Sequence, residues 1–323
     1  MIALNAIDKR IQELYQLRPA ATLSPAAVDA FWAETLAQAA TKPLHDQAVK
    51  IDTPLRGVAS YDVSFEGYDD TPIRAWYLVP EHLKLGTYPC VVFFHGYTGS
   101  RDLPESYAAW LLAGFAVLAV DVRGQGDTGN HLKLEHGGTK GWLTQNITDP
   151  SSCYYMAIGI DAYKAVDWVL TRSEIDPQRI AVMGGSQGGG LALLTAALHP
   201  NVSYCVADIP NMCHMDFGIL NSTSSLTEAA AYVKRYPDLL EPVLHSLAHF
   251  DILNLAHRIR IPTRISVGLK DPVCMPETIF AAYNRLDTDK HLDVHPFSGH
   301  EISSHQRRRH LQALGDWAFG SLE

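Results

Sequence analysis

The sequence predicts an α/β fold built on a mostly parallel, doubly wound sheet. Two continuous apolar runs, residues 90–94 and 115–120, are typical of strands that are buried on both faces. Further short apolar runs alternate with helical stretches, which is the pattern of right-handed strand–helix–strand crossovers. Glycines interrupt the chain between one such strand and the next helix, at residues 184–190, which indicates a tight strand-to-helix turn.

The N-terminal part of the chain is predicted to add helices and an antiparallel hairpin. Residues 5–40 carry helical periodicity, with isoleucines and leucines on one stripe. Residues 58–65 and 73–79 alternate apolar and polar side chains, and the turn signal at 67–70 separates them. These two segments therefore form a hairpin of half-buried strands before the parallel sheet begins.

The remaining elements follow in regular alternation. Strands are predicted at residues 179–183, 204–207, 263–268 and 292–295, and helices at 155–171, 276–286 and 303–319. Two long intervals interrupt them. Residues 124–152 are glycine-rich and predict an irregular loop, whereas residues 210–254 predict an insertion with helices at 226–233 and 243–255.

No linker divides the chain, so we expect a single domain, residues 1–323. Within it, residues 1–50 form an N-terminal helical extension and residues 210–254 form the insertion. The length is compatible with one large domain that buries a substantial core.

Charge and composition exclude several functional classes. The formal net charge of -9 argues against nucleic acid or an anionic membrane as a partner. The basic run at residues 307–309 is interpreted as the solvated face of the last helix. The five cysteines are odd in number and lack a disulfide spacing, and the first ten residues lack the apolar core of a signal peptide. We therefore expect free thiols and a cytoplasmic location.

Ser186 is the candidate nucleophile. The pentapeptide 184–188, Gly-Gly-Ser-Gln-Gly, matches G-x-S-x-G, in which a sharp turn between a strand and a helix exposes the serine hydroxyl. Gly184 and Gly188 flank the serine where any Cβ would collide as strand and helix approach. The N-terminus of the new helix points its free N–H groups toward an oxyanion that forms beside Ser186.

A serine hydroxyl needs a base to take its proton and an acid to orient that base. Asp271 follows the strand 263–268 and His300 follows the last strand, in the order Ser, Asp, His that is typical of this kind of sheet. Glu301, next to His300, is interpreted as anchoring the loop. The alternatives left open for the acid and the base are Asp208, Asp216, Asp251, His295 and His305.

The oxyanion donors are predicted to be the backbone N–H groups of Tyr97 and Gln187. Tyr97 follows the first buried strand, where such folds supply one donor, and Gln187 follows the nucleophile and supplies the other. His95 lies beside this loop and is interpreted as a structural histidine that bonds to backbone.

Two motifs suggest a cofactor or a metal but lack the features needed to bind one. Residues 124–129 match the dinucleotide pattern G-x-G-x-x-G, but no apolar helix follows whose N-terminus could seat a pyrophosphate. His245 and His249 have the spacing of a zinc pair, but no glutamate follows His245. The cysteines are too scattered for structural zinc. We therefore expect no cofactor and no metal.

The chain resembles the acetyl xylan esterase and cephalosporin-C deacetylase family, carbohydrate esterase family 7, nearly end to end. Three motifs carry the resemblance: Arg123-Gly124-Gln125-Gly126, the glycine-rich segment 184–190, and His300-Glu301. Weaker matches are His95-Gly96-Tyr97, Gly141-Trp142, His249-Phe250-Asp251, residues 280–284 and Phe31-Trp32. The resemblance implies an α/β-hydrolase fold.

The family's site residues can be carried over by position. The resemblance implies a triad of Ser186, Asp271 and His300, with Tyr97 and Gln187 as oxyanion donors. It also implies that Tyr97, Trp110, Phe217 and Val273 bind the substrate, with Trp110, Phe217 and Val273 as walls of the acyl pocket. Two positions depart from the family pattern: Met156 stands where an arginine is usual, and residues 221–227 lack a proline-containing segment.

The resemblance further implies a cytoplasmic, metal-free enzyme that removes acetyl groups from xylooligosaccharides and cephalosporin-type compounds. Family members assemble as ring-like hexamers whose enclosed sites admit small substrates, and the insertion 210–254 is similar to a region that builds part of that assembly. We therefore predict a serine esterase. The alternatives are a serine peptidase or another short-chain carboxylesterase on the same fold and, more remotely, a non-catalytic binding protein.

Overall fold

The fold is organised around one large sheet. The computed structural model describes residues 5–320, and within them the sheet has nine strands in the order β1-β2-β3-β5-β4-β6-β7-β8-β9. The strands are β1 Gln47–Ile51, β2 Ala59–Glu66, β3 Pro72–Val79, β4 Tyr88–Phe94, β5 Ala116–Val120, β6 Ile175–Gly185, β7 Val202–Asp208, β8 Thr263–Gly268 and β9 Lys290–His295.

The pairing of the strands changes direction at β5. From β1 through β2 and β3 to β5 the neighbours are antiparallel, whereas β5, β4, β6, β7, β8 and β9 run parallel. The predicted hairpin is the pair β2–β3, and the prediction of a mostly parallel sheet is confirmed. Because the parallel strands share one direction, the loops that follow them meet at one edge of the sheet.

Helices cover both faces of the sheet. They are α1 Ala6–Tyr15, α2 Pro25–Ala40, α3 Ala108–Leu112, α4 Tyr154–Leu170, α5 Gln187–Leu198, α6 Met215–Asn221, α7 Leu226–Arg235, α8 Leu240–Ala248, α9 Ile252–Leu255, α10 Pro276–Tyr283 and α11 Ser304–Phe319. Alternate residues of β4 serve the two faces: Val92 packs in the cluster that contains α4 and α5, and Val91 packs in the cluster that contains α3 and α11. This double burial explains the continuous apolar runs of the parallel strands.

The N-terminal helices are held by specific contacts to other parts of the fold. Tyr15 of α1 packs edge-on against Phe280 of α10, with ring centroids 4.9 Å apart. Trp32 of α2 is fully buried, and its indole N–H donates to the carbonyl oxygen of His249 at 3.0 Å. The N-terminal extension is therefore anchored on the insertion and on α10. The single-domain division stays a prediction, and residues 1–4 and 321–323 of its ranges lie outside the described part.

Among the elements of residues 5–320, β1 and α6 were not predicted. β1 is almost entirely exposed, so its residues lack the apolar alternation that indicates a strand. α6 lies in the insertion and contains Gly218, which weakens a helical signal. The loop prediction for residues 124–152 matches the structure, since no helix or strand lies between β5 and α4.

All five cysteines are free and buried. Burial raises the pKa of each thiol, so each stays protonated as a small apolar group. No helix within residues 5–320 is both long enough and apolar enough to cross a membrane.

Candidate active site

Ser186 lies at the sharp turn between β6 and α5. Its backbone has φ 57° and ψ −119°, a left-handed conformation that is strained for a residue with a side chain. Three backbone hydrogen bonds hold it there: its N–H donates to Asp208 at 2.9 Å, and its carbonyl oxygen accepts from Gly190 at 3.0 Å and Asn211 at 2.9 Å. The surrounding backbone thus imposes the conformation that presents the hydroxyl.

The glycine at position 188 allows α5 to approach the sheet. A Cβ at Gly188 would overlap the carbonyl oxygen of Phe94 at the end of β4, and a Cβ at Gly184 would overlap the backbone of Gly188. Only residues without a side chain permit this contact. The helix N-terminus therefore begins directly behind the serine.

Three side chains from different loops meet at this edge of the sheet. The Ser186 Oγ lies 3.0 Å from His300 Nε2, and His300 Nδ1 lies 2.8 Å from Asp271 Oδ2. A carboxylate can only accept, so Nδ1–H donates to Asp271 and Nε2 is left free to accept the serine proton. The structure thus joins the three residues that the sequence predicted for the triad.

The Asp271 carboxylate is buried and held in a fixed orientation. Its second oxygen, Oδ1, accepts hydrogen bonds from the backbone N–H groups of Val273 at 2.8 Å and Cys274 at 3.0 Å. Both oxygens are thereby occupied, and the carboxylate is aimed at the imidazole of His300.

The loop after β4 borders the nucleophile. A Cβ placed on Gly96 would lie 3.6 Å from the Ser186 Cβ, so this loop touches the serine directly. The backbone N–H groups of Tyr97 and Gln187 donate to no partner among residues 5–320. Two free donors beside a serine hydroxyl are what a tetrahedral oxyanion requires.

Gln125 links the two parts of the chain that carry these donors. Its Oε1 accepts from the Thr98 N–H at 2.7 Å, and its Nε2 donates to the side-chain oxygen of Gln187 at 3.1 Å and to Tyr154 at 2.9 Å. In the sequence, Gln125 stands out only as part of the motif at residues 123–126. A buried amide that bridges distant segments leaves no local signal beyond its place in that motif.

Arg123, in the same motif, is fully buried. Its guanidinium bonds to Asp161 and Asp69 and lies 3.1 Å from the Thr71 hydroxyl. Burial opposes its charge, but the two carboxylates outweigh burial, so the pKa of Arg123 is raised and the residue stays charged. This cluster fixes the start of the irregular loop 124–152.

The alternative acids and bases are engaged elsewhere. Asp208 accepts from Ser266 and lies 2.8 Å from His310 Nε2. Asp251 accepts from the backbone N–H groups of Met215, His214 and Leu253.

The His295 Nε2 lies 3.0 Å from Gln306 Oε1. His305 and Glu301 are exposed, and Asp216 lies 3.4 Å from His214.

Two further histidines, His95 and His249, are held by hydrogen bonds to the backbone. His95 Nε2 accepts from the Val122 N–H at 2.9 Å, and its Nδ1 donates to the Gly96 carbonyl at 2.7 Å; burial lowers its pKa, so it is neutral. His249 Nδ1 donates to the His245 carbonyl at 2.9 Å. Within residues 5–320 no three His, Cys, Asp or Glu side chains are grouped so as to hold a metal ion.

The three residues predicted to wall the acyl pocket do not share one set of contacts. Phe217 stacks on His214, and the Val273 carbonyl accepts from Ser222 at 2.9 Å, which brings the segment 221–227 against the loop of Asp271. Trp110 instead packs on Phe93, on the face of the sheet opposite α5. Its place in an acyl pocket, like those of Phe217 and Val273, stays a prediction.

Trp110 and Met156 line separate clefts. Trp110 borders a cleft of about 660 Å³ that reaches Gly185 and Ile302. Met156 lines another cleft, about 300 Å³, between α2 and α4. None of Ser186, Asp271 and His300 lines the cleft at Met156, where the sequence departs from the family pattern.

The α/β-hydrolase class is recognised by a mostly parallel sheet with helices on both faces, a strained serine between strand and helix, and an imidazole held by a buried carboxylate. The chain has all three features. The family model for acetyl xylan esterases matches residues 4–316. The chain therefore belongs to the acetyl xylan esterase family, a family of carboxylic ester hydrolases, and the predicted resemblance and fold class are confirmed.

Individual relatives agree with this family. The acetyl esterase Axe7A of Xylanibacter ruminicola is 27% identical over 292 residues, which cover 88% of this chain and 65% of that protein. An acetyl xylan esterase structure from Paenibacillus sp. R4 is 36% identical with a TM-score of 0.90, over 94% of this chain and 98% of that one. Acetyl xylan esterase 1 from Thermoanaerobacterium sp. JW/SL YS485 is 28% identical with a TM-score of 0.88, over 95% and 98%. The chain thus spans less than two thirds of the curated relative.

Proposed function

We propose that this protein is a serine esterase that removes acetyl groups from small acetylated carbohydrates such as xylooligosaccharides, and from cephalosporin-C-like compounds. One observation carries the proposal: the Ser186 hydroxyl lies 3.0 Å from the His300 Nε2, whose Nδ1 is bonded to Asp271. Membership of the acetyl xylan esterase family, and the similarity to solved acetyl xylan esterases, support acetyl groups on sugars as the substrate class.

In the first half-reaction, Ser186 Oγ attacks the acetyl carbonyl carbon while His300 Nε2 takes the hydroxyl proton. The carbonyl oxygen becomes an oxyanion that accepts from the Tyr97 and Gln187 N–H groups. Collapse of this intermediate breaks the bond to the sugar oxygen, which leaves as an alcohol with the proton from His300. Ser186 is then acetylated.

In the second half-reaction, water attacks the acetyl-enzyme as His300 accepts a proton from it. The new oxyanion is held by the same two N–H groups, and its collapse releases acetate and returns the proton to Ser186. Asp271 stabilises the imidazolium in both halves and keeps its ring in place. The residues proposed as the acyl pocket would restrict the acyl group to two or three carbons, because a rigid pocket resists overpacking.

The experiment compares the wild-type protein with Ser186→Ala on p-nitrophenyl acetate, acetylated xylobiose and cephalosporin C. The wild type is expected to hydrolyse all three esters, to lose rate from acetate to longer p-nitrophenyl esters, and to leave aminoacyl amides intact. Ser186→Ala is expected to lose the activity, by ~10³-fold or more. Substantial hydrolysis by Ser186→Ala would overturn the proposal, and preferential cleavage of the amides would favour a peptidase.

We also propose that the protein assembles as a ring-like hexamer and works in the cytoplasm. The family resemblance supports both, and the insertion carries an apolar side chain available for assembly, since Leu220 is 82% exposed. Light scattering should give six times the chain mass. A monomer across the micromolar range would contradict the assembly.

A further inference from the structure

The loop after β4 that carries the Tyr97 N–H is called the oxyanion loop. It makes a side-chain contact that has no part in the proposed reaction. The Tyr97 phenol donates to Glu228 Oε2 at 2.8 Å and accepts from the Trp142 N–H at 3.1 Å. Burial, together with the nearby Glu228 carboxylate, raises the pKa of the phenol, so it remains a donor. Tyr97 is thus held at its side-chain end as well as along the backbone.

Glu228 reaches Tyr97 from a distant part of the chain. It lies in the first turn of α7, inside the insertion, and 131 residues separate it from Tyr97. Burial raises the pKa of the Glu228 carboxyl, and hydrogen bonds from the Tyr97 phenol and the Leu143 backbone offset part of that rise. A half-buried carboxylate is costly unless donors satisfy it, and here the phenol is one of them.

The backbone next to Glu228 is shaped to admit its carboxylate. Gly141 has φ +79°, a region that side chains rarely adopt, and a Cβ there would overlap the carboxylate of Glu228. The ring of Trp142, the next residue, packs edge-on against Tyr97 with centroids 5.3 Å apart. Loop 124–152, the insertion and the oxyanion loop therefore converge on one phenol.

We propose that Glu228 is a positioning residue that fixes Tyr97, and through it the Tyr97 backbone N–H, in the oxyanion hole. This inference rests on the proposed function, because Tyr97 acts there as a donor. Thr98, the next residue, has a positive φ of 65°, so the loop needs outside contacts to keep its shape. Gln125 supplies one such contact at Thr98, and Glu228 supplies the other at Tyr97.

The test measures kcat and KM for p-nitrophenyl acetate in Glu228→Ala, Glu228→Gln, Tyr97→Phe and the double variant Tyr97→Phe/Glu228→Ala. We expect Glu228→Ala and Tyr97→Phe each to lower kcat about tenfold, less than the ~10²–10³ of a lost donor, because the N–H is misplaced but present. KM should change less than about twofold. Glu228→Gln keeps an acceptor oxygen and should retain activity within about threefold.

Two further readouts separate positioning from folding. The double variant should be no slower than Tyr97→Phe alone, because loss of the phenol already removes the contact to Glu228. Affinity for methylboronic acid, which forms a tetrahedral adduct with the serine, should weaken in parallel with kcat. Glu241→Gln, on α8 of the same insertion, is the matched control and should behave as the wild type; thermal unfolding of each variant reports its folded fraction.

The outcomes distinguish this inference from the proposed function. If Ser186→Ala is inert but Glu228→Ala and Tyr97→Phe match Glu241→Gln, the positioning role is wrong and the esterase assignment stands. Additive losses in the double variant, or a loss of activity that follows only the unfolded fraction, would also overturn it. If Ser186→Ala remains active, the proposed function itself fails.

Discussion

At the scale of single residues, the site depends on which oxygen of Asp271 faces which donor. Oδ1 accepts two backbone N–H groups and Oδ2 accepts His300 Nδ1–H. An amide at this position would keep its oxygen on the backbone donors and turn its NH₂ toward the imidazole. The imidazole would then have to accept at Nδ1 and carry its proton on Nε2, facing Ser186.

Asp271→Asn is therefore expected to lower kcat by ~10³–10⁴-fold, because the imidazole in that tautomer cannot take the serine proton. Its melting temperature should stay within a few degrees of the wild type. Steady-state hydrolysis of p-nitrophenyl acetate and thermal unfolding measure the two effects.

Asp208→Asn is the matched control, since Asp208 is equally buried but contacts Ser266 and His310. The kcat of this control should fall less than tenfold. A kcat for Asp271→Asn above a tenth of the wild-type value would contradict this.

At the scale of elements, the Asp293 side chain of β9 forms hydrogen bonds to both β8 and α11. Asp293 accepts from Arg264 of β8 at 3.1 Å and from two residues of α11, Gln306 at 2.8 Å and Arg309 at 2.6 Å. Burial acts to raise the pKa of Asp293, but the Gln306 amide and the Arg264 charge outweigh it, so the pKa is lowered. This cluster positions the strand that precedes the loop of His300.

Asp293→Asn is expected to lower the free energy of unfolding by about 2–3 kcal/mol at pH 7. Because the folded-state pKa of Asp293 is lowered, its stabilisation is present above the unfolded value of ~3.9 and is lost as the pH falls below it. The difference between wild type and variant should therefore shrink from pH 7 to pH 3, as urea unfolding can measure. Asp287→Asn, an exposed partner of Arg260, should cost less than about 0.5 kcal/mol at either pH. A pH-independent loss in Asp293→Asn would contradict the assignment.

At the scale of the whole molecule, the N-terminal extension and the insertion stabilise each other. Trp32 is fully buried, donates to His249 and packs edge-on against Phe250, with centroids 5.8 Å apart. These contacts join α2 to the segment between α8 and α9, far in the sequence and outside the sheet. None of these contacts involves Ser186, Asp271 or His300, so we expect them to bear on stability rather than on the chemical step.

Trp32→Ala is expected to cost about 3–5 kcal/mol of unfolding free energy, because it leaves a large cavity and an unpaired carbonyl. Trp32→Phe keeps much of the packing and should cost about half as much. Denaturant unfolding gives both values, and kcat per folded molecule should stay within about threefold of the wild type. A Trp32→Ala protein as stable as the wild type would contradict this role of Trp32.

A part of the structure could be predicted from the sequence when its signal lies in neighbouring residues. It could not when it depends on contacts between residues far apart in the chain. The strands buried on both faces were predictable because burial shows in the residues of the strand itself, whereas β1 is exposed and shows no such pattern. Ser186, Asp271 and His300 could be proposed because each follows a strand at the same edge. Gln125 and Glu228 could not, since what distinguishes them is the partner they meet in space, 62 and 131 residues away.

The order of strands along the chain has a consequence during synthesis. Across the sheet, β6, which leads to Ser186, is followed by β7, then by β8, and then by β9, which precedes the loop of His300. A nascent chain emerges N-terminal end first, so the serine turn leaves the ribosome more than a hundred residues before His300. In the proposed mechanism, a polypeptide that ends before His300 lacks the base that activates Ser186, and hydrolysis would begin only when the last strand has joined the sheet.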